Sequence, residues 1–247
     1  LKNKDAVFLH VDLVPQAHGD MAKVQEFHSS GEDVDKAIAA EITHSKTVID
    51  ACVASAVKHV VYSALDDFPE DKRVAHCSAK AEVVKYIKTT SLPTTYLYTC
   101  TPFSDVFEYL SRSSNDDYLL TLPITDDTAI PAFPVEQTGE WVRVAMARPD
   151  RWVGKDMHAC TEYPTPTQVA GTLSEILKKH VDTTHLSREQ FYSQAHQSKV
   201  GLEWSHYRSY LEGLCERDIQ LSERVVPHQW SFKQWAVQSP ELKKLVA

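Results

Sequence analysis

In the first hundred residues the apolar positions fall into short continuous runs, separated by stretches in which they recur at helical spacing. Residues 6–11 (AVFLHV) form one such run, with the continuous apolar character of a parallel strand covered on both faces. Residues 15–35 are polar, carry two glycines and read as a loop. Over residues 41–56, Ile42, Ile49, Val53 and Ala56 recur with helical period, and residues 57–63 (VKHVVYS) read as a buried strand. Residues 66–75 read as a charged loop, and residues 78–89 predict the next helix. Beyond Pro93, residues 94–99 predict a third strand. Strand, helix, strand, helix, strand implies adjacent parallel strands with right-handed crossovers, covered by the two intervening helices.

The pattern after residue 100 is more mixed. Residues 118–123 (YLLTLP) predict a strand, 136–147 a helix and 155–161 (KDMHACT) a further strand. A helix opens after YPTPTQ, with Pro166 suited to its first turn, and the chain is helical from Ser187 onward. The fold class is therefore α/β, a parallel sheet with helices on both faces, followed by a smaller mixed α/β and helical C-terminal region. The division expected is 1–100 for the sheet domain and 101–247 for an interleaved C-terminal region that does not separate fully.

Composition narrows the function. The 247 residues are 43% apolar and 24% charged, ordinary for a soluble globular protein of one large or two small domains. A formal charge of −8 argues against a general binder of nucleic-acid backbones and leaves a protein partner open. No apolar run is long enough to cross a bilayer. Five cysteines, odd in number and far apart among apolar residues, suit reduced thiols of a cytosolic protein rather than a disulfide framework or a zinc site. The twelve histidines include no HExxH, so no metal site is expected.

Candidate chemistry concentrates in RVAHCSAKAEVVKYI, residues 73–87, where His76 and Lys80 stand four apart at the entry to a helix. VKHVVYSAL, AHCSAKAEVVKYI and LPTTYLY, followed in order by YLLTLPI, PVEQTGEWV, PDRWVGKDMHAC, TPTQVAGTLSEILKK, LSREQFY and ERDIQLSERVVPHQWSFKQW, resemble the NmrA-like family. Its members are atypical short-chain dehydrogenases/reductases, and the likeness is closest to the HSCARG-type NADP(H) redox sensors. It extends over nearly the whole chain and implies a Rossmann-like sheet.

The resemblance implies a site. Superfamily enzymes carry a Tyr-xxx-Lys pair in which the lysine holds the nicotinamide ribose and the tyrosine passes a proton to a carbonyl. Here His76 stands at the tyrosine position and Lys80 is kept, while Ser63 falls where the superfamily has its Ser/Thr. His76, Lys80 and Ser63 are thus the catalytic candidates. Imidazole as a group titrates near neutrality and suits an acid; the other reading of His76 is a helix cap or surface residue. Cofactor contacts carry over to Val11, Asp12 and Leu13 beyond the first strand, to Thr43 (a lysine in the subgroup), and to Pro102, Phe103, Ser104 and Asp105 in a loop over the nicotinamide. That loop departs from the family's Glu-Asn-containing segment. For Phe103 and Phe107 the competing reading is core packing.

Family members open with a strand, a Gly-rich turn and a helix, and the present sequence starts later by two βα units, about 60–70 residues of such a fold. None of its seven glycines makes GxGxxG. The expectation is a fragment, or a protein whose N-terminal part is absent or disordered, with NADP(H) or NAD(H) bound by the full-length protein and only weakly by this chain alone. The function expected is a regulatory redox sensor whose dinucleotide occupancy alters association with a protein partner. The alternatives are an NAD(P)H-dependent oxidoreductase acting on a quinone or carbonyl, and an interaction module that binds no dinucleotide. Homodimerisation, no direct contact with nucleic acid or membrane, and a cytoplasmic and also nuclear location complete the expectation.

Overall fold

The computed structural model describes residues 5–11, 31–113 and 116–246. Among them the strands are, in chain order, β1 (Ala6–Leu9), β2 (His59–Ala64), β3 (Thr94–Tyr98), β4 (Thr101–Pro102), β5 (Leu110–Arg112), β6 (Tyr118–Leu120), β7 (Ala132–Phe133), β8 (Asp156–His158) and β9 (Val181–Thr183). The helices used below are α1 (Gly31–Ala54), α2 (Ala75–Lys88), α3 (Thr138–Ala147), α4 (Pro166–Leu177), α5 (Glu203–Leu211), α6 (Phe232–Gln238) and α7 (Pro240–Val246). Contacts divide the chain into two units. The first holds Leu1–Thr99, Gly139–Ala159 and Gly201–His206; the second holds Cys100–Thr138, Cys160–Val200 and Tyr207–Ala247. Two segments of the region expected as C-terminal, 139–159 and 201–206, thus belong with the first unit.

The first unit is built on a sheet in the order β1-β2-β3-β8, parallel throughout, with Ala6 opposite His59, Val60 opposite Thr94 and Tyr96 opposite Asp156. β1, β2 and β3 are adjacent and parallel, as the alternation of patterns predicts. Every residue of β2 is buried, which is why its sequence reads as an unbroken apolar run. α1 and α2 lie on one face of the sheet: Ile49, Cys52, Val83, Val84 and Ile87 pack with Leu9, Val60, Tyr62 and Tyr96. Strands added successively in one direction by right-handed crossovers put both crossover helices on the same side.

Element ends differ from the expectation. α1 begins at Gly31 rather than near residue 41, so the end of the expected loop is helical, and residues 15–30 lie outside the described residues. Val34 and Ile38 are buried and extend the stripe of Ser45, Ile49 and Cys52 back by about three turns. β2 starts at His59 rather than 57, because α1 closes through Ala56 in the left-handed region (φ 50) and Val57 N–H still bonds Cys52.

In the second unit β5 and β6 are antiparallel, β6 and β9 parallel, and β4 pairs with β7 in parallel. Its core joins Phe103, Tyr118, Leu120, Leu173, Trp235 and Leu242. α4 opens with Pro166 at its first position and a capping box in which Thr165 and Gln168 bond each other's backbone N–H. Among the described residues no helix is long and apolar enough to cross a membrane, and no group of three or more His, Cys, Asp or Glu is placed to hold a metal.

Candidate functional site

The carboxyl ends of parallel strands are where an α/β sheet leaves room for a ligand, because backbone groups there have no further strand residue to pair with. At this edge the two residues after β1 make the decisive contacts. His10 Nδ1 lies 3.1 Å from Ser63 Oγ at the end of β2. The Val11 carbonyl accepts a hydrogen bond from Lys80 Nζ at 2.5 Å. Ser63 and Lys80 are therefore brought to one place through consecutive residues of the same chain segment.

Lys80 is not a solvated helical lysine. Its ammonium also pairs with Glu41 Oε1 at 2.8 Å, with the lysine side chain 9% and the glutamate side chain fully shielded, 0% exposed. Glu41 sits on the buried stripe of α1 between Ile38 and Ser45, and Lys80 on the buried face of α2 between Cys77 and Val84. Two charges taken out of water are tolerated when each replaces the other's hydration, and the Val11 carbonyl adds a further acceptor. The ammonium carries three donors; Val11 and Glu41 engage two. Beside this pair, burial first, and then the charge of Glu41, push the Tyr62 phenol well above its ordinary value.

His76 lies one turn before Lys80, on the same side of α2. It does not cap the helix: the N-cap is Val74, which makes no side-chain cap hydrogen bond. Half-buried, the His76 ring meets His206 of α5 edge-on, with centroids 4.4 Å apart and planes at 72°. Behind His206, Glu203 Oε2 is 3.8 Å from Nδ1, the two residues being three apart on α5. The arrangement is an imidazole pair backed by a carboxylate.

The other predicted residues are placed as follows. Asp12 and Leu13 lie outside the described residues. Thr43 is exposed on α1, its hydroxyl returned to the Ala39 carbonyl at 2.7 Å. At about 100° per residue it stands on the side of the helix away from Glu41. Pro102, Phe103, Ser104 and Asp105 belong to the second unit, where Pro102 ends β4 and the rest form a single 3-10 turn. The Phe103 ring is in the core, 5.4 Å edge-on to Phe232 and 5.7 Å from Trp235. Phe107 packs on the same cluster, 5.7 Å from Trp235. Pro102, Ser104 and Asp105 are partly exposed.

Sequence reasoning missed Glu41, His10, His206 and Glu203. Glu41 carries a signal, an acid on an otherwise apolar helical stripe, which a buried charge occupies only when paired. His206 and Glu203 carry none, since an i, i+3 His and Glu on a helix is ordinary surface chemistry.

The donor set present, a strand-end hydroxyl and a buried ammonium beside the Val11 carbonyl, fits the vicinal hydroxyls of a ribose. Ser63 and Lys80 would hold that part of a nicotinamide dinucleotide. Such a cofactor supplies hydride chemistry when bound.

Residues 17–228 match the NmrA-like family. NmrA, a negative transcriptional regulator solved in complex with NADP, is 15% identical with a TM-score of 0.66, over 82% of this chain and 70% of that one. The Citrobacter sp. triphenylmethane reductase complexed with NADP(H) is 13% identical with a TM-score of 0.63, over 96% and 77% of the two chains. The NADPH-dependent quinone oxidoreductase of Escherichia coli complexed with NADPH is 16% identical with a TM-score of 0.59, over 82% and 71%. At such identities the structural likeness speaks for the fold, a Rossmann-like sheet with a mixed C-terminal region. With the family match covering most of its length, the chain belongs to the NmrA-like family.

Proposed function

We propose that this protein is an NAD(P)-binding regulator of the redox-sensor kind, with little or no reductase turnover. The observation that carries the reading is the geometry of α2. Lys80 is held at the end of β1 by Val11 and Glu41, while His76, one turn earlier, packs against His206. A ribose-holding lysine is kept, and the usual tyrosine acid is replaced by an imidazole engaged elsewhere. Dinucleotide occupancy would favour one conformation over another and so alter association with a protein partner. The partner is a protein rather than nucleic acid, given the net charge of −8. Homodimerisation, and action in the cytoplasm and nucleus, belong to the same proposal. The NADP complex of the regulator NmrA supports it.

The second reading is an NAD(P)H-dependent oxidoreductase acting on a quinone or carbonyl. It is favoured by the Glu203 carboxylate behind His206, which could ready the imidazole pair for proton transfer, and by the two reductases of like fold. One pair of measurements separates the readings. Calorimetric titration with NADPH, NADP, NADH and NAD should show saturable binding. NADPH oxidation in the presence of quinones or simple carbonyls should lack the ~10²–10⁴-fold contribution of a general acid. Robust turnover that His76→Ala abolishes would establish the reductase instead, and no binding of any of the four would establish an interaction module without a dinucleotide.

A further inference from the structure

The five cysteines are not equally placed. Parallel pairing of β3 with β8 sets Leu97 opposite Met157 and Tyr98 opposite His158, and Ala159 N–H donates to the Tyr98 carbonyl at 2.8 Å. Carried two residues further, this register brings Cys100 beside Cys160. Just beyond them the two strands part around β7. Thr101 N–H donates to Pro131 O at 3.1 Å, and Thr161 N–H to Ala132 O at 2.9 Å. The cysteines stand side by side at this fork, and each thiol shifts the ionisation of the other. Neighbouring parallel strands run about 4.7–4.9 Å apart, inside the roughly 4.4–6.8 Å Cα separation that a disulfide spans.

The surroundings distinguish the two sulfurs. Cys160 is fully buried, whereas Cys100 is the one cysteine of the five that is not. The neighbouring Cys100 thiol leads in drawing the Cys160 thiol below its ordinary value, opposed by burial and helped by backbone hydrogen bonds and the Arg217 charge. Burial pushes Cys100 the other way. Cys160 also contributes to the wall of a cavity of about 150 Å³, with Glu162, Glu223, Gln229 and Trp230, which is room for a small peroxide. Cys215 is a third thiol within electrostatic reach of Cys100.

We propose that Cys100 and Cys160 form a reversible, peroxide-driven disulfide, a thiol-oxidation site at the start of two of the three segments by which the chain enters the second unit. The Cys160 thiolate attacks one oxygen of hydrogen peroxide and the O–O bond breaks. Cys160 becomes a sulfenic acid, and the other oxygen leaves as water with the proton that Cys160 gave up. The Cys100 sulfur then attacks the Cys160 sulfur; the S–S bond forms, the S–O bond breaks, and a second water leaves with the Cys100 proton. Two thiols lose two electrons and one peroxide gains them. The resting state is the reduced pair of thiols, and the proposal stands whether or not the protein binds a dinucleotide.

The test is oxidation of the folded, fully reduced protein with a small excess of hydrogen peroxide, followed by alkylation in urea and peptide mapping. Alkylatable cysteines should fall from five to three, with one cross-linked peptide pair holding Cys100 and Cys160 that dithiothreitol releases. In Cys100→Ser the cross-link should vanish and a sulfenic acid trappable by dimedone should appear on Cys160. Should that variant fail to fold, Cys100→Ala serves, and the wild-type map decides by itself. A cross-link from Cys160 to Cys215, five alkylatable thiols after oxidation, or a Cys100–Cys160 link that forms only in denaturant would each overturn the proposal.

Discussion

Replacing Lys80 tests the pair at the centre of the site, and the structure sets the size of the effect. At 2.8 Å the gross attraction between Lys80 and Glu41 is about 6 kcal/mol at an effective dielectric of ~20. Much of that is offset by the desolvation of two buried ions, so the pair adds little net stability over a well-packed apolar substitute. Removing one member is different, because the other stays buried without a counter-charge. Lys80→Met should therefore cost about 3–5 kcal/mol. For a chain of this length each kcal/mol moves the melting temperature by roughly 2–4 °C, giving a fall of about 6–20 °C. The double variant Lys80→Met with Glu41→Leu should recover most of the loss, leaving about 1 kcal/mol for the unmet Val11 carbonyl. Scanning calorimetry and urea unfolding on the wild type, both single variants and the double variant complete the cycle. A Lys80→Met protein that melts within 2 °C of wild type, on the order of the shift from 1 kcal/mol, or a double variant no more stable than Lys80→Met, would refute the account. The result also governs ligand work. A loss of dinucleotide binding in Lys80→Ala would mix ribose contact with unfolding, so binding is best compared between the double variant and Lys80→Arg.

Three further outcomes are expected. His59 is buried; Thr95 Oγ1 donates to Trp152 O at 2.9 Å, so His59 Nε2 donates to Thr95 at 2.8 Å. Burial lowers its folded pKa below the unfolded value of about 6.5, so the unfolded chain binds more protons there. Its contribution is complete above that pH and is lost as pH falls toward the folded value; urea midpoints at pH 7.5 and 5.5 should converge in His59→Gln relative to wild type, and equal drops in both would exclude this origin. Phe103→Ala should destabilise by about 3–5 kcal/mol as a core truncation, while Ser104→Ala on the same turn stays within about 0.5 kcal/mol. Denaturant titration checks the contrast, and comparable costs would mean that the Phe103 ring is not a core element. Thr165→Ala should cost about 1 kcal/mol through loss of the capping box of α4, read as a melting shift of roughly 2–4 °C.

The parallel strands were legible in the sequence because their evidence is local. A run such as HVVYSA reports burial on both faces, and helical periodicity between such runs dictates crossovers and hence parallel pairing. The ordered family motifs were legible for the same reason, and with them the positions of Ser63, His76 and Lys80. Partners were not. Periodicity tells which face of α1 and α2 is buried, not what lies across it, so Lys80 read as a ribose-holding lysine with no sign of Glu41 on the neighbouring helix. His76 meets His206 from a segment far along the chain that returns to the first unit, and no spacing rule links the two. Phe103 looked alike as a loop aromatic or a core residue until Phe232 and Trp235 closed over it. Cys100 and Cys160 were two of five scattered reduced thiols until the register of β3 on β8, carried two residues further, set them side by side. Local pattern is set by the burial of one element at a time, whereas pairing of charges, rings and thiols is set by chain closure between distant elements, which only the tertiary structure decides.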